Sequence, residues 1–264
     1  MQSTKGWWAQ IKNSHETGFI ISELVKKGIR LKYRRSVLGI VWSLIEPILS
    51  TVIMVIVFGT ILDRHEASFA LYIICGRLLF SFFSETTKSA GKSIRVNSSM
   101  IKKVYVPKYL YPFSDALWHF VVFAVSLLVI LPVSVYCKVT PTLMIWQVVP
   151  ALLFLFLFSL GLGFLLTTMN VFLRDTEYLW NVTTLLVMYL SAIFYYPDKL
   201  LKSQWGFFIQ YNPIFCIITL FRNGVLGHTP EPFYLIYPGL VSVATLWFGF
   251  WIFRKSEDKF AFYV

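Results

Sequence analysis

Long apolar stretches separated by short polar segments dominate the sequence from residue 41 onward. A helix that crosses the hydrocarbon core of a bilayer needs about 20 predominantly apolar residues. Stretches of this kind predict six transmembrane helices, at residues 41–61, 69–87, 116–136, 145–172, 178–196 and 233–253. Because they leave no room for a separate soluble domain, residues 1–264 are expected to form one all-α, polytopic membrane domain.

A further apolar stretch, residues 205–221, resembles a seventh crossing but is interrupted by Asn212-Pro213. Proline removes a backbone donor from a helix, and non-helical backbone at membrane depth needs protein or water around it. We therefore predict that residues 197–230 form an outer hairpin containing two short re-entrant helices.

Before the first span, residues 16–35 place apolar side chains near one side at helical spacing. The basic residues Lys26, Lys27, Arg30, Arg34 and Arg35 fall largely on other sides. This pattern predicts an amphipathic helix lying at the membrane surface within an N-terminal segment of residues 1–40. The alternative is a solvated basic tail, because the apolar face is modest.

Composition agrees with a membrane protein, since 57% of the residues are hydrophobic and only 14% are charged. The formal net charge of +11 could suggest nucleic acid as a partner. The basic residues nevertheless lie in blocks between apolar spans, which is typical of membrane topology and of contact with anionic lipid. No nucleic-acid partner is predicted.

The distribution of Lys and Arg predicts the orientation, because basic residues accumulate in cytoplasmic segments. Residues 1–40, 88–111, 173–177 and 254–264 hold eight, six, one and three of them, whereas residues 62–68, 137–144 and 197–230 hold one, one and three. Both termini, including a tail at residues 254–264, are therefore expected to be cytoplasmic.

The sequence predicts no catalytic residues, no metal ligands and no cofactor bound by this chain. Gly91-Lys92-Ser93 imitates the end of a phosphate-binding loop, but Thr86 stands where the earlier glycine is required and no strand precedes it. If the protein is a pump, another polypeptide must supply the nucleotide chemistry. A membrane-embedded glycosyltransferase or acyltransferase is a weak alternative, because the acidic residues are dispersed without a paired-carboxylate motif.

Several motifs follow one another along nearly the whole chain. They are the run from Lys32-Tyr33-Arg34-Arg35 through Ser36, Leu38-Gly39 and Trp42 to Pro47, the segment from Asn97 to Pro107-Lys108 with Pro112 and Ser114, Asn170 with Arg174-Asp175, the exit Ser191–Pro197, and Asn212-Pro213 with Phe221-Arg222 and Gly224. In this order the motifs resemble those of ABC-2 type permeases, the membrane subunits of transporters that export O-antigen, capsule, teichoic acid and related polysaccharides. The resemblance implies the type V exporter fold.

The resemblance also implies that residues 88–111 contain a cytoplasmic coupling helix that docks on an ATPase. The candidate coupling residues are Arg95, Asn97, Met100, Ile101, Lys102, Lys103, Arg174 and Asp175. Simpler alternatives stay open, namely an ordinary positive loop for the first six and a helix-end ion pair for Arg174 and Asp175.

Arg77 departs from the family pattern, which usually has an apolar residue after the glycine in the second span. An ionisable residue inside the membrane suggests a functional site. We hypothesise that Arg77 faces the transport pathway or a dimer seam, with Glu85 or Glu46 as a candidate partner, and could attract an anionic substrate group. The alternative is an arginine that snorkels or is paired for packing alone. The best aromatic candidates for lining the pathway are Tyr189, Phe194, Tyr195 and Tyr196.

Taken together, the resemblance implies a homodimeric permease in a bacterial inner membrane, working with two ATPase subunits that hold ATP and Mg²⁺. Its cargo would be a lipid-linked polysaccharide. An ABC-2 exporter of lipids or small hydrophobic compounds is the nearest alternative.

Overall fold

The computed structural model describes residues 14–61, 67–103, 106–140 and 142–263, and within these ranges every regular element is helical. The α-helices are α1 (Ser14–Lys32), α2 (Trp42–Ile61), α3 (Ala67–Val96), α4 (Ser98–Ile101), α5 (Leu110–Leu127), α6 (Ile130–Tyr136), α7 (Val148–Phe172), α8 (Thr176–Leu190), α9 (Asp198–Leu201), α10 (Gly206–Gln210), α11 (Pro213–Leu226), α12 (Pro232–Ser256) and α13 (Phe260–Tyr263). Short 3₁₀ turns occupy Gly39–Val41, Leu143–Gln147 and Glu257–Lys259. The predicted loop at residues 62–68 and the start of the predicted segment 1–40 lie largely outside the described residues.

Among the described residues, five helical segments are long and apolar enough to cross a membrane, which identifies a multi-pass membrane protein. They are Gly39–Phe58, Ser68–Val96, Leu110–Tyr136, Leu143–Phe172 and Pro232–Lys259. The predicted span at residues 178–196 corresponds to α8, whose 15 residues extend about 22 Å at 1.5 Å each. That is shorter than a hydrocarbon core of about 30 Å. The sixth crossing therefore stays a prediction.

Helix α7 packs against both α3 and α12. Where α7 and α12 cross, Gly161 and Gly249 face each other, and a Cβ atom on Gly249 would collide with the carbonyl group of Gly161. Small residues at such a crossing let two membrane helices approach backbone to backbone. Their contact holds α7 and α12 together as one packed pair.

Helix α3 is the most enclosed of the five long segments. Of its most apolar 18 residues, 72% are buried, compared with 11% for the segment that contains α2. It also continues nine residues beyond the predicted span of 69–87, so residues 88–96 are helical and do not belong to a loop. Hydropathy detects only the apolar turns of a helix, and the last turns of α3 are polar. The loop predicted at 88–111 is correspondingly shorter.

The predicted interruption at Asn212-Pro213 is present. Helix α10 ends at Gln210, and α11 starts at Pro213 with the Asn212 side chain accepting a hydrogen bond from the Ile214 backbone N–H at 3.0 Å. Asparagine before a proline at the first helical position is a strong start signal for a helix. The break between these two helices was thus predictable. A third helix, α9, also lies within residues 197–230, and the re-entrant placement stays a prediction.

Helix α1 is the predicted amphipathic helix, and it packs on the bundle instead of forming a solvated tail. Leu24 is only 9% exposed, and Gly28 lies directly against the Trp118 indole of α5. Lys26 and Arg30 point away from this contact and are exposed. Leu31 was expected on the apolar side but is 55% exposed.

Candidate functional site

The basic segments that the charge pattern assigned to one side of the membrane meet at one end of the bundle, which we call the loop end. Lys27 Nζ donates to Asn97 Oδ1 at 2.9 Å, connecting α1 to the loop before α4. Lys108 Nζ donates to the Glu257 carbonyl at 2.6 Å, connecting the following loop to the C-terminal segment. The grouping by charge therefore corresponds to a grouping in space.

Glu177, in the first turn of α8, connects that helix to the end of α3. Its carboxylate oxygens lie 2.5 Å from Lys92 Nζ and 2.6 Å from Arg95 Nη2. The hydrogen bonds from these two side chains lower the pKa of Glu177 below its ordinary value of 4.5. Ion pairs at a solvent boundary add little to the free energy of unfolding, so the main effect of this cluster is to position α8 relative to α3.

Arg174 and Asp175, just before α8, do not pair with each other in the part of the chain that the structure describes. Both are exposed, and no ion pair within 4.0 Å joins either to another described residue. The simple alternative of a self-satisfied helix-end pair is therefore not formed. Their charges remain open to a partner.

The predicted coupling residues after α3 separate into two groups. Met100 and Ile101 turn inward and pack on a cluster that includes Leu24 and Leu110. Lys102 and Lys103 are exposed, like Arg95 at the end of α3. We call residues 95–103 and 174–177 together the loop platform, and its exposed surface carries the charged side chains.

Helix α7 supports the loop platform from inside the bundle. Asn170 Nδ2 donates to the Gly91 carbonyl at 2.9 Å, and Thr167 Oγ1 donates to the Ala90 carbonyl at 2.6 Å. Both donors are buried. These bonds tie the last turns of α3 to α7.

At the opposite end, which we call the hairpin end, Arg222 of α11 is buried to 3% exposure. Its guanidinium donates to the backbone carbonyls of Tyr72, Ala192 and Ile193 at 3.0, 3.1 and 3.2 Å. Its carbon atom Cζ also lies 3.4 Å from the centre of the Tyr72 ring, a cation–π contact. No carboxylate among the described residues pairs with it, so backbone dipoles and one aromatic face hold this charge.

The Arg222 contacts fix the chain where it leaves α8. Ala192 has a positive φ of 47°, a left-handed conformation that costs a non-glycine residue about 1–2 kcal/mol. Its carbonyl accepts hydrogen bonds from both Arg222 and the Tyr72 hydroxyl, the latter at 3.0 Å. These bonds hold a backbone turn that the sequence alone would not favour.

The four aromatic candidates for the pathway have different surroundings. Phe194 is 4% exposed and stacks on Phe58 with ring centroids 5.1 Å apart, and Tyr196 packs 4.6 Å from the Tyr72 ring. The Tyr195 hydroxyl donates to the Tyr189 carbonyl at 2.6 Å. Tyr189 is the most exposed of the four side chains, at 57% exposure. A role in lining a pathway stays a prediction for all four.

Arg77 does not pair with either predicted carboxylate. Its Nε donates to Ser50 Oγ at 2.9 Å, while Glu85 binds Lys32 Nζ at 2.7 Å. Glu46 forms no ion pair within the described ranges. The prediction of a carboxylate partner was therefore wrong, since Glu85 lies about 12 Å from Arg77 along α3 and pairs with Lys32 instead. Arg77 lines a cavity of about 260 Å³ between α2, α3 and α5.

Two residues that organise these ends escaped sequence reasoning. The motif that contains Arg222 does not indicate that its charge is buried. An arginine inside an apolar 14-residue helix is nevertheless a signal of a functional or structural charge. Glu177 follows the Arg174-Asp175 pair closely, and nothing in its spacing indicated that Lys92 and Arg95 would converge on it.

Comparison with known proteins gives consistent matches along the chain. The family model described as "ABC-2 type transporter" matches residues 21–226. The "O-antigen export system permease protein RfbA" of Klebsiella pneumoniae is 25% identical over 259 residues, covering 95% of this chain and 98% of the relative. A protein of the same name from Myxococcus xanthus is 27% identical, covering 92% and 94%. The "Polysialic acid transport protein KpsM" of Escherichia coli is 21% identical, covering 90% and 93%.

The matched region contains α2 to α11 and most of α1, and thus both ends of the bundle described above. The chain belongs to the ABC-2 type transporter family.

Proposed function

We propose that this protein is the permease subunit of an ATP-driven exporter that moves a lipid-linked cell-surface polysaccharide outward across the bacterial cytoplasmic membrane. The observation that carries the proposal is end-to-end similarity to relatives named for O-antigen export and polysialic acid transport, over at least 90% of this chain. Similarity of that extent includes the loop platform and the outer hairpin, and not only the apolar helices. It favours polysaccharide over the lipids or small hydrophobic compounds of the alternative.

The loop platform is the proposed docking surface for an ATPase subunit, which would hold the ATP and Mg²⁺. Its exposed Arg95, Lys102, Lys103, Arg174 and Asp175 present charge without described partners, apart from the bond of Arg95 to Glu177. Closure of the ATPases on ATP would push this surface. Because α1 bonds to the platform through Lys27 and Asn97, the amphipathic helix would move with it.

In the proposed assembly two copies of this chain, each with six membrane crossings, form the pathway, and two ATPases bind below it. The termini and the loop end face the cytoplasm, in agreement with the positive charge that gathers there. One copy of each motif per chain supports a symmetric pair. The sixth crossing is α8 together with its exit turn.

The test is co-purification of the detergent-solubilised protein from its host, with identification of the associated chains and measurement of ATP hydrolysis. We expect a stoichiometric ATPase, and we expect the Lys102→Glu/Lys103→Glu variant to lose about tenfold or more of its recovery, because charge reversal opposes docking. Lys259→Glu, exposed at the same end but outside the platform, is the matched control and should retain the ATPase.

A second arm addresses the cargo in vesicles that contain permease and ATPase. Lipid-linked polysaccharide should stimulate ATP hydrolysis, whereas a small hydrophobic dye should not. Recovery of the permease alone, without nucleotide turnover, would contradict the proposal. Turnover of a lipid-linked donor by the purified chain without an ATPase would establish a membrane enzyme instead.

A further inference from the structure

The cavity beside Arg77 is a groove between α2, α3 and α5, lined by charged and polar side chains as well as by apolar ones. Lys32 and Glu85 pair across its mouth, where their side chains keep 31% and 44% exposure. Arg77 lies two turns deeper along α3, about 12 Å away at 1.5 Å per residue. We call this space the α2/α3/α5 groove.

Arg77 brings unused hydrogen-bond donors into the groove. A guanidinium carries five N–H groups, and among the described residues only Nε has a partner, the Ser50 hydroxyl. Ser50 is itself committed, because it donates to the Pro47 carbonyl at 3.1 Å. The two terminal amino groups of Arg77 therefore keep their full capacity for a bidentate contact with an anion.

Unused acceptors line the same groove. Glu46 has no ion pair with any described residue. His119 Nδ1 lies 2.7 Å from the Asp115 carbonyl, which only accepts, so its Nε2 is left as an acceptor. Pro47 lacks an N–H, so the Ser43 carbonyl one turn earlier has no helical donor. The site thus combines one strong anion binder with several groups that accept hydrogen bonds.

We propose that the α2/α3/α5 groove binds the phosphate-bearing headgroup of a membrane lipid, with the phosphate on Arg77 and hydroxyl or ammonium groups of the headgroup donating to Glu46 and His119. A volume of about 260 Å³ lies near the lower limit of small-ligand pockets, roughly 300 Å³. It is suited to a headgroup and too small for a sugar chain. The acyl tails would stay in the surrounding bilayer, beside the exposed apolar face of α2.

Two kinds of lipid carry this chemistry, namely the phospholipids of the membrane and a polyprenyl phosphate of the kind that carries a glycan. The proposal needs the membrane location of the chain but not its cargo. A failed export assay would therefore leave it intact, and a failed lipid-binding assay would leave the export proposal intact.

The test uses the full-length protein in nanodiscs of phosphatidylcholine doped with one probe at a time, and measures retained lipid by native mass spectrometry. The probes are phosphatidylglycerol, phosphatidylethanolamine, a polyprenyl phosphate, and diacylglycerol as a lipid without phosphate. We expect Arg77→Gln to lower retention of the preferred phosphate-bearing probe about tenfold, Arg77→Lys to lower it less, and diacylglycerol retention to stay unchanged.

Lys202→Gln removes an exposed positive charge from the outer hairpin and is the matched control, which should retain the probes like the unmodified chain. Glu46→Gln provides a second variant on the other helix of the groove, and should weaken phosphatidylethanolamine more than polyprenyl phosphate, which has no ammonium group. Preference among the probes identifies the source of the lipid. Equal retention of all phosphate lipids by Arg77→Gln and the unmodified chain would overturn the proposal, as would equal loss of diacylglycerol.

Discussion

At the scale of single residues, Arg222 shows how a charge is held inside an apolar bundle without an opposite charge. Three carbonyl oxygens and the face of Tyr72 surround its guanidinium. Only arginine offers several donors in a fixed plane, so lysine could not reach all three carbonyls. The neighbouring Gly76 leaves the space that the guanidinium occupies, since a Cβ atom there would collide with Arg222 Nη2.

Gly76→Ala should therefore destabilise the protein by about 1–3 kcal/mol through overpacking. The measurement is thermal unfolding in detergent, compared with the unmodified chain. Gly18→Ala, in α1 with open space around its Cβ position, should instead stabilise by about 0.5–1 kcal/mol. An unchanged melting temperature for Gly76→Ala would mean that Arg222 does not fill this space in the membrane.

At the scale of elements, hydropathy located the long apolar helices well, and Asn212-Pro213 correctly marked the break before α11. It did not show that α3 continues to Val96, because the last turns of that helix carry Lys88 and Lys92. It also could not show contacts between distant elements. The pairing of Lys32 with Glu85 depends on where α1 lies, and the bond of Arg77 to Ser50 depends on where α2 lies. Helical periodicity gives a face but no neighbour.

The junction between α3 and α8 should depend on pH through Glu177. Since its pKa is lowered in the folded state, its contribution to stability is present above the ordinary value of 4.5 and is lost as the pH falls through the lower folded value. At pH 7, Glu177→Gln should lower the melting temperature by roughly 1–3 °C, and the difference should be smaller at pH 4, which lies below the ordinary pKa of 4.5.

Asp175→Asn is the control for this pH series, because Asp175 is exposed and has no described ion pair. It should leave the melting temperature unchanged at both pH values. A constant difference between Glu177→Gln and the unmodified chain across the series would show that the carboxylate charge is not what joins the two helices.

At the scale of the whole molecule, the outward surface of α8 differs from that of a helix facing lipid. Its exposed positions include Asn181 and Thr183 between apolar residues, and polar side chains at membrane depth are costly when they face hydrocarbon. The outward surface of α12 near Leu240 is apolar by comparison. We therefore expect α8 to face the second copy of the chain or the pathway between the copies.

Val182→Cys should form a disulfide-linked or reagent-linked dimer in membranes, in a background where Cys75, Cys137 and Cys216 are replaced. Leu240→Cys is the matched control, because both positions are 68% exposed, and it should remain monomeric on a denaturing gel. Cross-linking at Leu240 without cross-linking at Val182 would place the dimer contact on α12 instead.

The buried Arg222 also constrains the order in which the chain is assembled. An arginine at the centre of a membrane helix costs about 2.5–3.5 kcal/mol on insertion scales, so the predicted re-entrant placement would be unfavourable for α11 by itself. Its carbonyl partners belong to α3 and to the turn after α8, which are synthesised earlier. The hairpin end therefore closes after these segments are in place, and in a variant from which α3 is deleted the Arg222 side chain should stay accessible to water.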